Sequence, residues 1–189
     1  MQVEITGSAV DQDTIITVAD LKAHLRVTHT AEDTLISALR SAAISWVEEH
    51  CNIKLGSYTA RGYLPGFYNS YIPIGPVTAI TEVKYQTTED KTYANLSTLL
   101  ATNWFSDEIT QPARIAFRDY PQVYDYALMP VVVSFTAGHT TMPAPVLQAI
   151  RLLVAHLYEN RQEEISTMTN RLKFGLEALL NPFRIIYQP

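Results

Sequence analysis

The spacing of apolar positions along the chain changes twice. After a first stretch of about 16 residues that reads as an arm or short strand, it is helical to about residue 54, strand-like from there to about residue 137, and helical again from about residue 144. Thr17-Val18-Ala19-Asp20 has the form of a capping box, with Asp20 where Glu or Gln is more usual. Val18, Leu21 and Leu25 behind it predict a helix ending near Val27. A second start, Thr30-Ala31-Glu32-Asp33, puts acidic residues in a first turn, where the helix dipole favours them. Leu35, Leu39, Ala42, Trp46 and His50 then recur at helical spacing, with Ile36, Ala43 and Val47 beside them. They predict one apolar face of a long amphipathic helix, with Glu32, Ser37, Arg40, Ser41, Glu48 and Glu49 largely elsewhere.

From Leu55 to Phe135 short β-prone runs alternate with Gly and Pro, and the stretch holds nine of the eleven tyrosines. Strands are predicted at Tyr58–Leu64, Tyr71–Ile74, Ala79–Tyr85, Arg114–Phe117 and Val131–Phe135, with Thr92–Leu100 extended or irregular. Beyond Ala137-Gly138 and a linker containing Pro143 and Pro145 comes a helix, Val146–Tyr158, that is apolar almost all round. Such a helix must be covered on more than one side, and a neighbouring subunit is a natural cover. Glu163–Asn170 reads as a polar loop, Phe174–Leu180 as a short helix stopped at Asn181-Pro182, and Phe183–Pro189 as an apolar, aromatic tail that docks on something. The fold class is therefore α+β. A helical frame from about 17–54 and 144–182 carries an inserted, small, mostly antiparallel sheet at about 55–137, with a tail at 183–189, all in one domain of 189 residues.

Composition narrows the function. Apolar residues make up 47% and charged residues 17%, a globular balance. No run supplies the ~18 consecutive apolar residues that a membrane helix needs, and the first residues, MQVEITGSAVDQD, do not read as a signal peptide. The net charge of −5 is concentrated in residues 1–56, which carry −4. No basic stripe for phosphate neutralisation is present. A lone Cys51 excludes an intrachain disulfide and suits synthesis in a reducing cytoplasm.

Candidate chemistry is sparse. His24, His29, His50, His139 and His156 have no metal-ligand spacing, so no metal or cofactor is expected. Cys51 lies near a helix C-terminus beside Glu48 and Glu49, where both the dipole and the neighbours disfavour a thiolate. Adjacent carboxylates (Glu48-Glu49, Glu89-Asp90, Asp107-Glu108, Glu163-Glu164) diverge or are solvated, and no nucleophile or phosphate-loop motif appears. Tyr58, Tyr63, Phe67, Tyr68 and Tyr71 could stack on bases, but only Arg61 stands nearby; sheet packing and subunit contact fit them better.

Three segments together resemble the head–tail connector family of tailed bacteriophages: ITVADLKAHLRV followed by DTLISALRSAAISWVEEHCNI, SFTAGHTTMPAPVLQAIRLLVAHLYENR, and LEALLNPFR. Pro76–Tyr85 fits the strand of the longer members, and Leu96–Glu108 departs from the pattern. The resemblance implies a structural, non-enzymatic subunit of a ring, twelve-membered in the virion. It implies docking under the portal protein, a continuation of the DNA channel without sequence-specific binding, and an attachment surface for the next stopper or tail protein. Synthesis in the host cytoplasm and residence at the head–tail interface follow from that role. The other readings are a nucleic-acid-handling factor in packaging, a tail terminator or stopper, and a small hydrolase.

A ring contact joins two different faces of neighbouring copies. The residues expected at a subunit or partner contact are Leu147, Ile150, Arg151, Val154, Leu157 and Arg161 on the apolar helix, and Phe183, Arg184, Ile185 and Tyr187 in the tail. Arg151, Arg161 and Arg171 are expected partners for acids of the Glu32–Glu49 helix, within a subunit or between subunits. Ser166–Lys173 and the tail are expected to order on contact with the portal or the next ring.

Overall fold

The computed structural model describes residues 1–7, 10–87, 93, 96–160 and 170–186. Two compact units emerge. A sheet unit is made of residues 1–9, 57–138 and 185–189, and a helical unit of residues 10–56 and 139–184.

The described residues of the helical unit form four α-helices: α1 (Val18–Leu25), α2 (Asp33–Cys51), α3 (Ala144–Glu159) and α4 (Asn170–Leu180). Thr17 and Asp20 close the capping box read from the sequence: Thr17 Oγ1 accepts the Asp20 N–H at 3.1 Å and the Asp20 carboxylate faces the Thr17 N–H. Asn52 ends α2 in the left-handed region (φ 54°), a conformation that Asn tolerates better than most residues, and its N–H caps the Glu48 carbonyl. Pro143 precedes α3, and Pro145 sits in its first turn, where the missing N–H costs no helical bond.

α3 explains why its sequence is so apolar. It packs against α1, α2 and α4 of its own chain, and Val146, Ala149, Ile150, Leu153 and Val154 are buried along it. Cover expected from a neighbouring subunit is thus supplied, for this stripe, from within.

α2 is rotated relative to the sequence reading. Its buried residues are Ile36, Arg40, Ala43, Ile44, Val47, Glu48 and Cys51. The face expected to be apolar and inward is only half-covered: Leu35, Leu39, Trp46 and His50 are half-buried and Ala42 is exposed. Arg40 and Glu48 are buried on this face, and each finds polar partners there. Arg40 donates to the Asp13 carboxylate and to the Ile16 carbonyl at 3.1 Å. The Glu48 carboxylate accepts from the Leu55 N–H and from Lys54 Nζ, both at 2.8 Å. A buried charge is tolerated when it is paired and hydrogen-bonded, and periodicity cannot see partners that lie in loops.

The sheet unit holds a five-stranded antiparallel sheet in the order β1-β2-β8-β4-β5 and a three-stranded one in the order β3-β7-β6. The strands are β1 (Gln2–Ile5), β2 (Tyr58–Leu64), β3 (Ser70–Tyr71), β4 (Val77–Tyr85), β5 (Ser97–Thr98), β6 (Trp104–Asp107), β7 (Arg114–Phe117) and β8 (Val131–Ala137). β2 and β7 have the bounds expected from the sequence. β6 lies in the stretch that matched no pattern, because one apolar side chain of its four residues, Phe105, faces out. The core gathers Leu64, Phe67, Ile72, Val83, Ile115, Val133 and Phe135, among others. In β4 the inward residues Val77, Ile80 and Val83 are three apart rather than two. Register shifts between Val77 and Ala79 and between Ile80 and Glu82 account for this, each inserting an unpaired residue. Phe67 is a hub of the aromatic packing, with Tyr85, Phe117 and Tyr120 rings 5.7, 5.2 and 4.9 Å from its own.

Glu48→Ala should cost about 2–4 kcal/mol in urea unfolding, because it leaves the buried Leu55 N–H without its carboxylate partner and Lys54 without its counter-charge. Glu49→Ala, one residue on and exposed, should stay within about 0.5 kcal/mol of the parent.

Candidate functional site

No cluster of three or more His, Cys, Asp or Glu able to hold a metal occurs among the described residues, and none of their helices is long and apolar enough to cross a membrane. What the molecule does present is apolar surface.

In the helical unit the half-buried strip of α2 is the main example. Trp46 and His50 stack within it, ring centres 4.8 Å apart and planes within 7°. On α3, Leu147, Arg151 and Leu157 are half-buried, whereas Ile150 and Val154 are wholly buried in the chain's own core and offer nothing to a partner. Arg151 exerts its charge on Asp20 of α1, helping two hydrogen bonds from Thr17 to hold that carboxyl below the usual range. Phe183 is half-buried, its ring edge-on to His139 at 6.4 Å, and Arg184 is exposed. Phe174, at 75% exposure, is the most open large apolar side chain described in this unit. Arg161, Tyr187 and most of Ser166–Lys173 lie outside the described residues, as does most of the expected Glu163–Asn170 loop; Asn170 itself begins α4.

In the sheet unit, Ile185 is buried: a side chain built on Gly75 would meet its Cδ1 at 2.4 Å. The tail therefore docks, at this residue, on its own chain. Leu100, Phe105, Ile109, Tyr126 and Leu128 are more than half exposed. A groove of about 310 Å³ runs between Pro65–Tyr68 and Tyr120–Asp125, walled by aromatic and proline side chains. Arg114 lies over the Tyr71 ring at 4.9 Å, on the same sheet as Phe105. Tyr, Phe and Arg on an open surface are the residue types enriched where proteins meet. Their separation in sequence, at 68–71, 105–114 and 120–128, is why pattern reading could not assemble them.

Comparison with known proteins gives one family match over part of the chain and several likenesses of fold. Residues 15–98 match the phage gp6-like head-tail connector protein family. The match takes in α1, α2 and strands β2 to β5. Among solved structures, the fold is that of a chain in the neck of an empty gene transfer agent (GTA) particle computed with C6 symmetry, at TM-score 0.77 and 24% identity. It also matches chains in the neck of a native GTA particle computed with C12 symmetry (TM-score 0.74, 24% identity) and in the virion of a native gene transfer agent particle (TM-score 0.72, 23% identity). Each alignment covers 100% of this chain and 98% of the other. The α+β arrangement of the described residues, strands and helices alike, is thus a fold shared with those chains. Among curated proteins nothing matches the chain.

Two titratable groups report on the helical unit. Cys51 is fully buried, and burial pushes its thiol up to about 11 despite the opposing charge of Arg184. A thiol-specific reagent at pH 8 should modify Cys51 only as fast as the chain unfolds, so the rate should rise steeply in denaturant; rapid labelling of the native protein would contradict its placement. Burial also lowers His139 below its usual 6.5. A depressed histidine binds its proton less readily folded than unfolded, so stability should be full above about pH 6.5 and fall as pH drops below it. His139→Gln should flatten that fall, as read by thermal melts between pH 5 and 8.

Proposed function

We propose that the chain is a structural, non-catalytic subunit of a head–tail connector ring, seated beneath the portal protein of a phage-like particle and prolonging its DNA channel. What carries this reading is the match of residues 15–98 to the phage connector family. The full-length likeness of fold to neck chains, one of them in a neck computed with C12 symmetry, supports it. A closed ring of identical copies needs two different faces on each subunit, and both units of this chain carry apolar surface beyond their cores. The α2 strip with Trp46 and the contact residues Leu147, Arg151, Leu157 and Arg184 belong to such faces in the helical unit. The net charge of −5 suits a channel past which DNA slides without adhering. The far side of the ring receives the next stopper or tail protein.

Mass in solution, measured with and without the portal protein, tests the reading. A ring alone, or a defined complex that appears when portal is added, is the expected result. A chain that stays monomeric and ignores the portal at every concentration would overturn it.

A further inference from the structure

We infer that neighbouring copies in the ring are joined by strand addition, β1 of one copy pairing antiparallel with β6 of the next; the inference rests on the ring reading above. Among the described residues, the outer strands of the two sheets differ in how their edges are guarded. Proteins blunt an edge by shortening it, bulging it, or placing Lys or Pro on it, since a regular bare edge recruits another strand. β3 and β5 are two residues long, and β4 carries two register shifts. β1 and β6 have none of these guards. Each runs four residues in unbroken register with its one described neighbour, and neither contains Lys or Pro. Each also exposes an apolar side chain, Ile5 at 41% and Phe105 at 56%.

The backbone of the two edges is complementary. Thr6 N–H donates to the Thr59 carbonyl at 2.9 Å, so the antiparallel alternation aims the N–H and C=O of Val3 and Ile5 away from β2. Arg118 N–H donates to the Asn103 carbonyl at 2.8 Å, which puts Phe105 in the ladder with Ala116 and turns the N–H and C=O of Trp104 and Ser106 outward. Two outward residues at the same spacing stand on each strand. Val3 opposite Ser106 and Ile5 opposite Trp104 satisfy all of them, and bring Glu4 opposite Phe105 at the close spacing of a non-hydrogen-bonded pair. The acids on the two strands are already engaged within their own chain: Glu4 accepts from Tyr63 Oη, and the Asp107 carboxylate accepts from the N–H groups of Ile109 and Thr110 at 3.1 Å. A β1-to-β6 contact is heterologous, the kind that closes a ring rather than a two-fold dimer.

The test is sedimentation of the full chain with the portal protein present. Ile5→Pro and Ser106→Pro each remove one outward donor and none that the chain's own ladder uses, so both should fold as the parent does by circular dichroism. Both should raise the concentration needed for assembly by about tenfold or more. Ile5→Lys guards the β1 edge without changing its backbone and should act in the same direction. The double variant Glu4→Cys with Phe105→Cys should give disulfide-linked ladders between copies on mild oxidation. Parent-like rings from all three edge variants, with no cross-linking of the cysteine pair, would overturn strand addition and leave the ring standing. A parent chain that forms no ring under any of these conditions would overturn both.

Discussion

Two paired charges on one side of α2 set the orientation on which the helical unit depends. Arg40 reaches the carbonyl of Ile16 and the Asp13 carboxylate, and Glu48 holds the turn at Lys54 and Leu55. Once these groups point inward, Ile36, Ala43, Val47 and Cys51 share their face and meet α3. The neighbouring strip with Leu35, Leu39 and Trp46 is left half-covered. Helix burial here is decided by polar partners as much as by apolar area: an unpaired buried charge costs more than a half-exposed leucine.

Much of the architecture was legible because local rules are strong where they apply. The capping box at Thr17 and Asp20, the Pro-led start of α3 and the strands β2, β7 and β8 all follow from spacing and from residues with special backbone preferences. Three features were not legible, each for a physical reason. The rotation of α2 depends on loop atoms at Ile16 and Leu55. The inward residues of β4 recur every three positions because the strand bulges, a spacing that by itself suggests a helix. β6 hides in Leu96–Glu108 because its exposed Phe105 breaks the expected alternation. At the candidate site, the sequence could nominate α3 and the tail by their apolar character. Only coordinates could divide them into residues used internally, such as Ile150, Val154 and Ile185, and residues left partly open, such as Leu147 and Leu157.

The functional reading therefore stands on shape and surface rather than on reactive groups. The thiol of Cys51 is sealed and neutral, and part of the aromatic wealth of the sheet unit is packed around Phe67. What remains for partners is distributed: an apolar strip on a helix, an aromatic groove, and two strand edges without a second strand partner among the described residues. A subunit that meets several neighbours at once has use for several modest surfaces, whereas a single cleft serves an enzyme better.

The chain passes between its two units at residues 9, 56, 138 and 184, so that neither is built from one continuous segment. During translation α1 and α2 leave the ribosome long before α3, the helix they pack on, has been made. Their apolar sides must wait while β2 to β8 emerge and pair. The sheet, whose ladders lie almost wholly within residues 2–137, is free to organise first. Chain order thus allows the sheet unit to close while the helical unit still lacks α3 and α4.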